Sequence, residues 1–271
     1  MGEDVRGLDP DREKRKIKAD KRMREIMAEY YIEAKTPRQQ RGKLIAWITS
    51  GGPVEPLHVM DVIPVYPENY GAMIGASKMG VGLCETAEEM GYSRDLCPYE
   101  VLARYFNVPL FIFGTPVTHT RFDEDMRRYV QRQSKEYIAF LERVCGKPFD
   151  QDRMKVVGEL SLEGQALWQR ILETTMHKPA PMTCFDAFFH LAMIVTLRGT
   201  QTAVDYYKML LAEMRDRVAQ GIGMLPEEKY RLVWDNIPIW YRMRWLSEKF
   251  MARSACLVAD TYTSGWTGWL P

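Results

Sequence analysis

A short apolar run ending in a Gly/Pro turn and then a polar residue occurs twice in this chain, and the repeat restricts the fold more than anything else in it. The first run, Leu44-Ile-Ala-Trp-Ile-Thr49, is short and β-rich, as a buried strand is. It breaks at Ser50-Gly-Gly-Pro53, where two glycines free the backbone and a proline fixes the next turn, and Glu55 follows at once. The second run, Val108-Pro-Leu-Phe-Ile-Phe113, closes on Gly114-Thr-Pro116. Strands that end alike read as parallel neighbours opening on one sheet edge, which predicts an α/β fold. Between them Val62-Ile-Pro-Val-Tyr66 runs into Pro67-Glu-Asn69. Helix-spaced small and apolar residues (Ala72, Ile74, Ala76, Met79, Leu83, Ala87) then lead to Gly91 and to Asp95-Leu-Cys97. Two polar-lipped strand ends followed by a helix that delivers a cysteine are the parts of a ligand crevice in an open α/β sheet.

The flanks are helical. Met23, Ile26, Met27, Tyr30, Tyr31 and Ala34 fall at three- and four-residue steps, predicting one amphipathic helix within Asp11–Ala34 that ends at Thr36-Pro37. Beyond residue 120 the periodicity predicts helices over Phe122–Val144, Ser161–His177, Asp186–Leu197 and Thr200–Gln220, the third apolar enough to be buried. Strands at Tyr230–Trp234 and Ala255–Ala259 then flank a helix at Trp240–Ala252, the first βαβ unit of another α/β domain. The expected organisation is a helical N-terminal segment (1–40), a first α/β domain (41–120), a helical region (121–225) and the beginning of a second α/β domain (226–271). Five of the seven tryptophans follow residue 230, and Trp266 and Trp269 have nothing downstream to cover them. The second domain is therefore expected to be C-terminally truncated.

A net charge of +1 gives no electrostatic case for nucleic acid or an anionic membrane as partner. No apolar run approaches the roughly 20 residues of a membrane span, and the N-terminus lacks a secretory h-region. Five scattered cysteines point to a reducing compartment, hence the cytoplasm. There is no Gly-x-x-x-x-Gly-Lys loop, so nucleotide hydrolysis would fall to another polypeptide. His58, His119, His177 and His190 are isolated, against zinc. Cys97 precedes Pro98 at the expected N-terminus of a helix holding Val101 to Phe106. A thiolate is favoured there, as a metal or iron–sulfur ligand; the other reading is a buried structural thiol. Glu55 and Glu68 each follow a proline-marked break. They would do acid–base work if they met at one lip, and would otherwise be solvated loop carboxylates.

Trp47-Ile-Thr-Ser-Gly-Gly-Pro-Val-Glu55, Tyr66-Pro-Glu-Asn69 and Ala87-Glu-Glu-Met-Gly-Tyr-Ser-Arg-Asp-Leu-Cys97 resemble the 2-hydroxyacyl-CoA dehydratase family, its benzoyl-CoA reductase branch above all. Asn107-Val-Pro109 with Thr115-Pro116, and Leu232-Val-Trp-Asp-Asn-Ile-Pro-Ile-Trp240, fit as well. The resemblance implies two flavodoxin-like α/β domains with a helical N-terminal segment and a helical insert, and a [4Fe–4S] cluster beside an acyl-CoA pocket. It further implies a homologous second iron–sulfur subunit and a separate ATP-hydrolysing activator that supplies electrons. Cys97 would be a cluster ligand and Glu55 and Glu68 the catalytic carboxylates, with Ser50, Gly51, Asn69 and Thr115 on the CoA-thioester substrate side. The implied activity is benzoyl-CoA-type reductive dearomatisation, in anaerobic aromatic degradation. A 2-hydroxyacyl-CoA dehydratase subunit, or a non-catalytic CoA-binding or assembly module, are the alternatives. The third rests on two departures. The family's segment after the Asp-x-Cys block, with its second cluster cysteine, is missing here, and its third cluster cysteine lies past the end of this chain. One cysteine cannot hold a cubane cluster, so Cys97 is expected at a helix N-terminus with no second cysteine within ligating distance.

Overall fold

The structure, a computed structural model, describes residues 12–36, 40, 42–77, 80–89, 91, 93 and 123–267. Cys97, Thr115 and the strand expected at Val108–Phe113 lie outside these residues.

Helix α1 (Ala19–Lys35) buries Ala19, Met23, Ile26 and Tyr30, the single stripe that its sequence spacing predicts. The Glu213 carboxylate accepts from the amides of Lys18 (2.6 Å) and Ala19 (2.9 Å), satisfying donors that a helix start leaves unpaired. Strand β1 (Ile45–Trp47), helix α2 (Glu55–Val59) and strand β2 (Ile63–Val65) then form a parallel pair with a crossover, in the register Ile45↔Ile63, Ala46↔Pro64, Trp47↔Val65. The Tyr30 hydroxyl donates to the Pro64 carbonyl (2.7 Å), tying α1 to this pair. Helix α3 (Pro67–Ala76) starts on a proline, which has no amide hydrogen to leave unpaired, and α4 (Gly80–Glu89) follows. Helix α5 (Glu124–Cys145) covers the pair, with Tyr137 and Leu141 against Leu57, Met60 and Val62.

The main core is helical. It lies among α1, α6 (Gln151–Glu173), α7 (Cys184–His190), α8 (Ala192–Leu197) and α9 (Gln201–Ala219). Trp168 of α6 is fully buried and stacks on Tyr207 of α9 with ring centroids 5.3 Å apart. Where one helix is expected over Asp186–Leu197, two occur, broken at Leu191. The cause is a side chain. The Tyr207 hydroxyl accepts from the Ile194 amide (3.0 Å) and donates to the His190 carbonyl (3.1 Å), occupying the place of the i→i−4 bond that would have joined them. Helix α6 begins ten residues before the expected Ser161, because Asp150 caps it by accepting from the amides of Asp152 (3.0 Å) and Arg153 (2.9 Å). A polar cap of this kind leaves no trace in hydrophobic periodicity.

Strands β3 (Tyr230–Trp234) and β4 (Ala255–Asp260) form a second parallel pair across α10 (Met243–Met251), and α11 (Thr261–Ser264) follows β4. The chain is thus mixed α/β, mostly helical, with short parallel strand pairs. Thr175 Oγ1 donates to the Val258 carbonyl (2.6 Å), and Trp168 Nε1 to the Thr263 carbonyl (3.0 Å), docking this pair on the helical core. Trp266, expected to lack cover, is half-buried against that core. Trp269 is outside the described residues. Gly75 lies against Trp240, 3.8 Å from where its Cβ would be, whereas none of the described residues crowds Gly80 or Gly82.

Trp168→Ala removes both the stack and the bond to Thr263, and is expected to cost about 3–5 kcal/mol. Urea unfolding followed by circular dichroism measures it.

Candidate functional site

The carboxyl ends of β1 and β2 carry the polar residues that the sequence singles out. After β1 the chain makes a tight turn closed by Gly52 N donating to Thr49 O (2.9 Å). A Cβ on Gly52 would stand 2.6 Å from Ile48 Cγ1, so any side chain there would have to displace Ile48. Ser50 lies inside that turn. Its amide donates to Glu68 Oε2 (2.7 Å), and its hydroxyl donates to the same oxygen. Glu68 stands in the first turn of α3, where a carboxylate is favoured by the helix dipole. Asn69 beside it is half-buried, and Gly51 is exposed. Across from this pair is Tyr262, whose ring packs against Phe188 (6.2 Å) and Trp240 (6.1 Å). Burial raises its phenol pKa, and the charge of Glu68 raises it further.

Glu55 stands apart with its own partners. Its Oε1 accepts from Ser161 Oγ (2.8 Å) and from Arg198 Nε (3.0 Å), and Arg198 Nη2 donates to the Gly52 carbonyl (2.7 Å). Arg198 is only 9% exposed. Burial would raise the Glu55 pKa, but the Arg198 charge, with backbone and Ser161 hydrogen bonds, holds the carboxyl below its usual range. His58, one helical turn on, is pushed down to about 4 by burial, against the Glu55 charge and a hydrogen bond to the Arg198 backbone. Its Nε2 and the Tyr66 hydroxyl are buried without a hydrogen-bond partner among the described residues. The structure therefore joins Ser50 to Glu68, and Glu55 to Arg198 and Ser161. Sequence reasoning missed Arg198, Ser161 and Tyr262. The one available signal was a lone arginine between an apolar helix and a glycine.

A cavity of about 700 Å³ opens at the carboxyl end of β4, lined among others by Thr175, Met182, Cys184, Arg231, Asp260 and Thr263. Asp260 is committed to capping α11 through the Thr263 amide and hydroxyl. Burial pushes the Cys184 thiol well above its usual range, with Asp260 adding to the shift, and it pushes Cys256 up to about 12. The four described cysteines, Cys84, Cys145, Cys184 and Cys256, are free and sit on four separate elements. Among the described residues no group of three or more His, Cys, Asp or Glu is placed to hold a metal ion, so these residues do not fit a cluster. Among them, too, no helix is long and apolar enough to cross a membrane.

A family model described as "2-hydroxyglutaryl-CoA dehydratase, D-component" matches residues 98–270. The chain is 30% identical to the (R)-phenyllactyl-CoA dehydratase alpha subunit of Clostridium sporogenes, over 94% of this chain and 73% of that protein. It is 30% identical to the (R)-2-hydroxyisocaproyl-CoA dehydratase alpha subunit of Clostridioides difficile, over 83% of this chain and 66% of that one. Identity to a benzoyl-CoA reductase subunit of Thauera aromatica is 25%, over 89% of this chain and 68% of that subunit. The chain spans between about two thirds and three quarters of the length of these relatives.

His58 sets a pH dependence. An unfolded histidine takes its proton near 6.5 and the folded one only near 4, so the unfolded chain binds more protons between those values. Stability is therefore present above pH 6.5 and lost as the pH falls through 4. In His58→Gln this loss should be smaller by on the order of 2–3 kcal/mol. Chemical denaturation at pH 7 and at pH 4 checks it, and equal losses would mean that native His58 is protonated.

Proposed function

The chain belongs to the 2-hydroxyglutaryl-CoA dehydratase D-component family, and from that premise we propose that it is the acyl-CoA-binding subunit of a 2-hydroxyacyl-CoA dehydratase. The observation that carries the reading is the Ser50–Glu68 pair at the carboxyl ends of two parallel strands, where open α/β folds bind ligands. Both Ser50 bonds go to Oε2 of Glu68, which leaves Oε1 to accept from a hydroxyl on the acyl group. Loss of water from a 2-hydroxyacyl thioester takes the hydroxyl from carbon 2 and a proton from carbon 3. We assign to Glu68 the holding of the hydroxyl, with its carboxylate fixed by Ser50. Asn69 and Gly51 flank it, and Glu55 supports the turn from behind. A cluster on Cys97 is a further part of the proposal, and no step is routed through it.

Two dehydratase alpha subunits at 30% identity favour dehydration over the ring reduction suggested by Tyr66-Pro-Glu-Asn69. The benzoyl-CoA reductase relative keeps reduction as the second reading. As those relatives are named alpha subunits, we extend to this chain a partner subunit; a separate electron-donating activator, from the family resemblance, and a cytoplasmic setting, from the scattered cysteines, belong to the same proposal.

Calorimetric titration of the full chain tests the reading. An (R)-2-hydroxyacyl-CoA should bind, and Glu68→Gln should weaken it about tenfold, the cost of one charge-assisted hydrogen bond, with free CoA unaffected. Preference for benzoyl-CoA would move the assignment to the second reading, and no thioester binding would remove both. Because one cysteine cannot hold a cubane cluster, anaerobic reconstitution of this chain alone with iron and sulfide should give no [4Fe–4S] absorbance, and absorbance gained with a partner subunit should be lost in Cys97→Ala. No absorbance in the wild type, alone or with its partner subunit, would remove the cluster from this chain.

A further inference from the structure

Arg198 belongs to the helical region, yet its guanidinium bonds to the segment that links β1 to β2. It follows α8 directly and is followed by Gly199 at φ +82°, where a Cβ would stand 2.9 Å from Val157 Cγ1 and 3.1 Å from Ser161 Oγ. The corner is thus packed closely on α6. From it the guanidinium reaches Glu55 through Nε (3.0 Å) and the Gly52 carbonyl through Nη2 (2.7 Å), while His58 bonds back to the Arg198 backbone. The turn holding Ser50 is therefore pinned at both ends. Its start is fixed by Ile48 N donating to Val65 O (3.1 Å) across the strands, and its end by Arg198 on the carbonyl of Gly52. Ser50 can point both its amide and its hydroxyl at one oxygen of Glu68 only while that turn keeps its shape.

We propose that Arg198 is a positioning residue: by clamping Gly52 and Glu55 it holds Ser50 in register with Glu68, and so couples the helical region to the thioester site. Lysine cannot replace it. An ammonium would keep the charge facing Glu55, but it lacks the planar fork that serves Glu55 and the Gly52 carbonyl together.

The test is hydrogen exchange at the Ser50 amide in the full chain, with the Ile194 amide, bonded to Tyr207, as a core control. This readout needs no ligand. In Arg198→Met the Ser50 amide should exchange about tenfold faster or more, in line with loss of a charge-assisted hydrogen bond, while Ile194 is unchanged. Arg198→Lys should lie between, which decides the matter if the methionine variant does not fold. Unchanged Ser50 exchange in either variant, or a parallel rise at Ile194, would overturn the proposal, the latter by showing a merely structural role. A second arm rests on the dehydratase reading. Arg198→Lys and Ser50→Ala should each weaken 2-hydroxyacyl-CoA binding, and the double variant should be no weaker than Ser50→Ala alone. Additive losses overturn the coupling. A wild type that binds no thioester removes the functional reading, and the exchange arm still decides the role of Arg198.

Discussion

The Tyr207 hydroxyl, set between the His190 carbonyl and the Ile194 amide, is the contact on which the rest of the molecule turns. A hydroxyl both donates and accepts, so it can stand in for the peptide pair it separates and leave neither group unpaired in a dry core. The break is local: Leu191 keeps helical dihedrals, and the Val195 amide still donates to the Leu191 carbonyl (3.1 Å). Helix α8 then ends against α6, with Gly199 beside Val157 and Ser161 and with Arg198 bonded to Glu55 of α2.

The ion pair at the end of this path is of a kind that adds little net stability, because removing two charges from water costs about as much as their attraction returns. Its geometry is nevertheless complete: Glu55 takes Ser161 as well as Arg198, and Arg198 uses its second donor on a backbone carbonyl. What such a pair supplies is register. Misplacing the helical region against β1 and β2 would leave a buried charge unmatched, a larger penalty than any gain from looser packing.

Much of the fold could be read from the sequence wherever one physical signal dominated. β1, β3, β4 and α1 follow from apolar runs or a single apolar stripe, and glycine stops, such as Gly146 after α5, gave clean ends. Signals carried by one polar atom were silent: the Asp150 cap that begins α6, and the Tyr207 hydroxyl that divides α7 from α8. The site divided in the same way. Ser50 and Glu68 were legible because each sits just after a strand. Arg198 was not, since its partners lie 143 and 146 residues away in sequence. On function, the four residues Tyr66-Pro-Glu-Asn69 pulled toward the reductase branch, whereas identity over most of the chain gives the dehydratase alpha subunits at least equal weight.

Helix α6 and the turn that follows it present Ser161, Trp168 and Thr175 at intervals of seven, nearly two helical turns, so all three look in much the same direction. Ser161 holds Glu55 beside the first strand pair, while Trp168 and Thr175 hold Thr263 and Val258 beside the second. The helix therefore fixes a phase relation between the two halves. Over evolutionary time its exposed face is free to drift by substitution. A single inserted or deleted residue between Ser161 and Trp168 would instead rotate one anchor by about 100° relative to the other. Length variation among descendants of this chain should accumulate in its loops and spare these two helical turns.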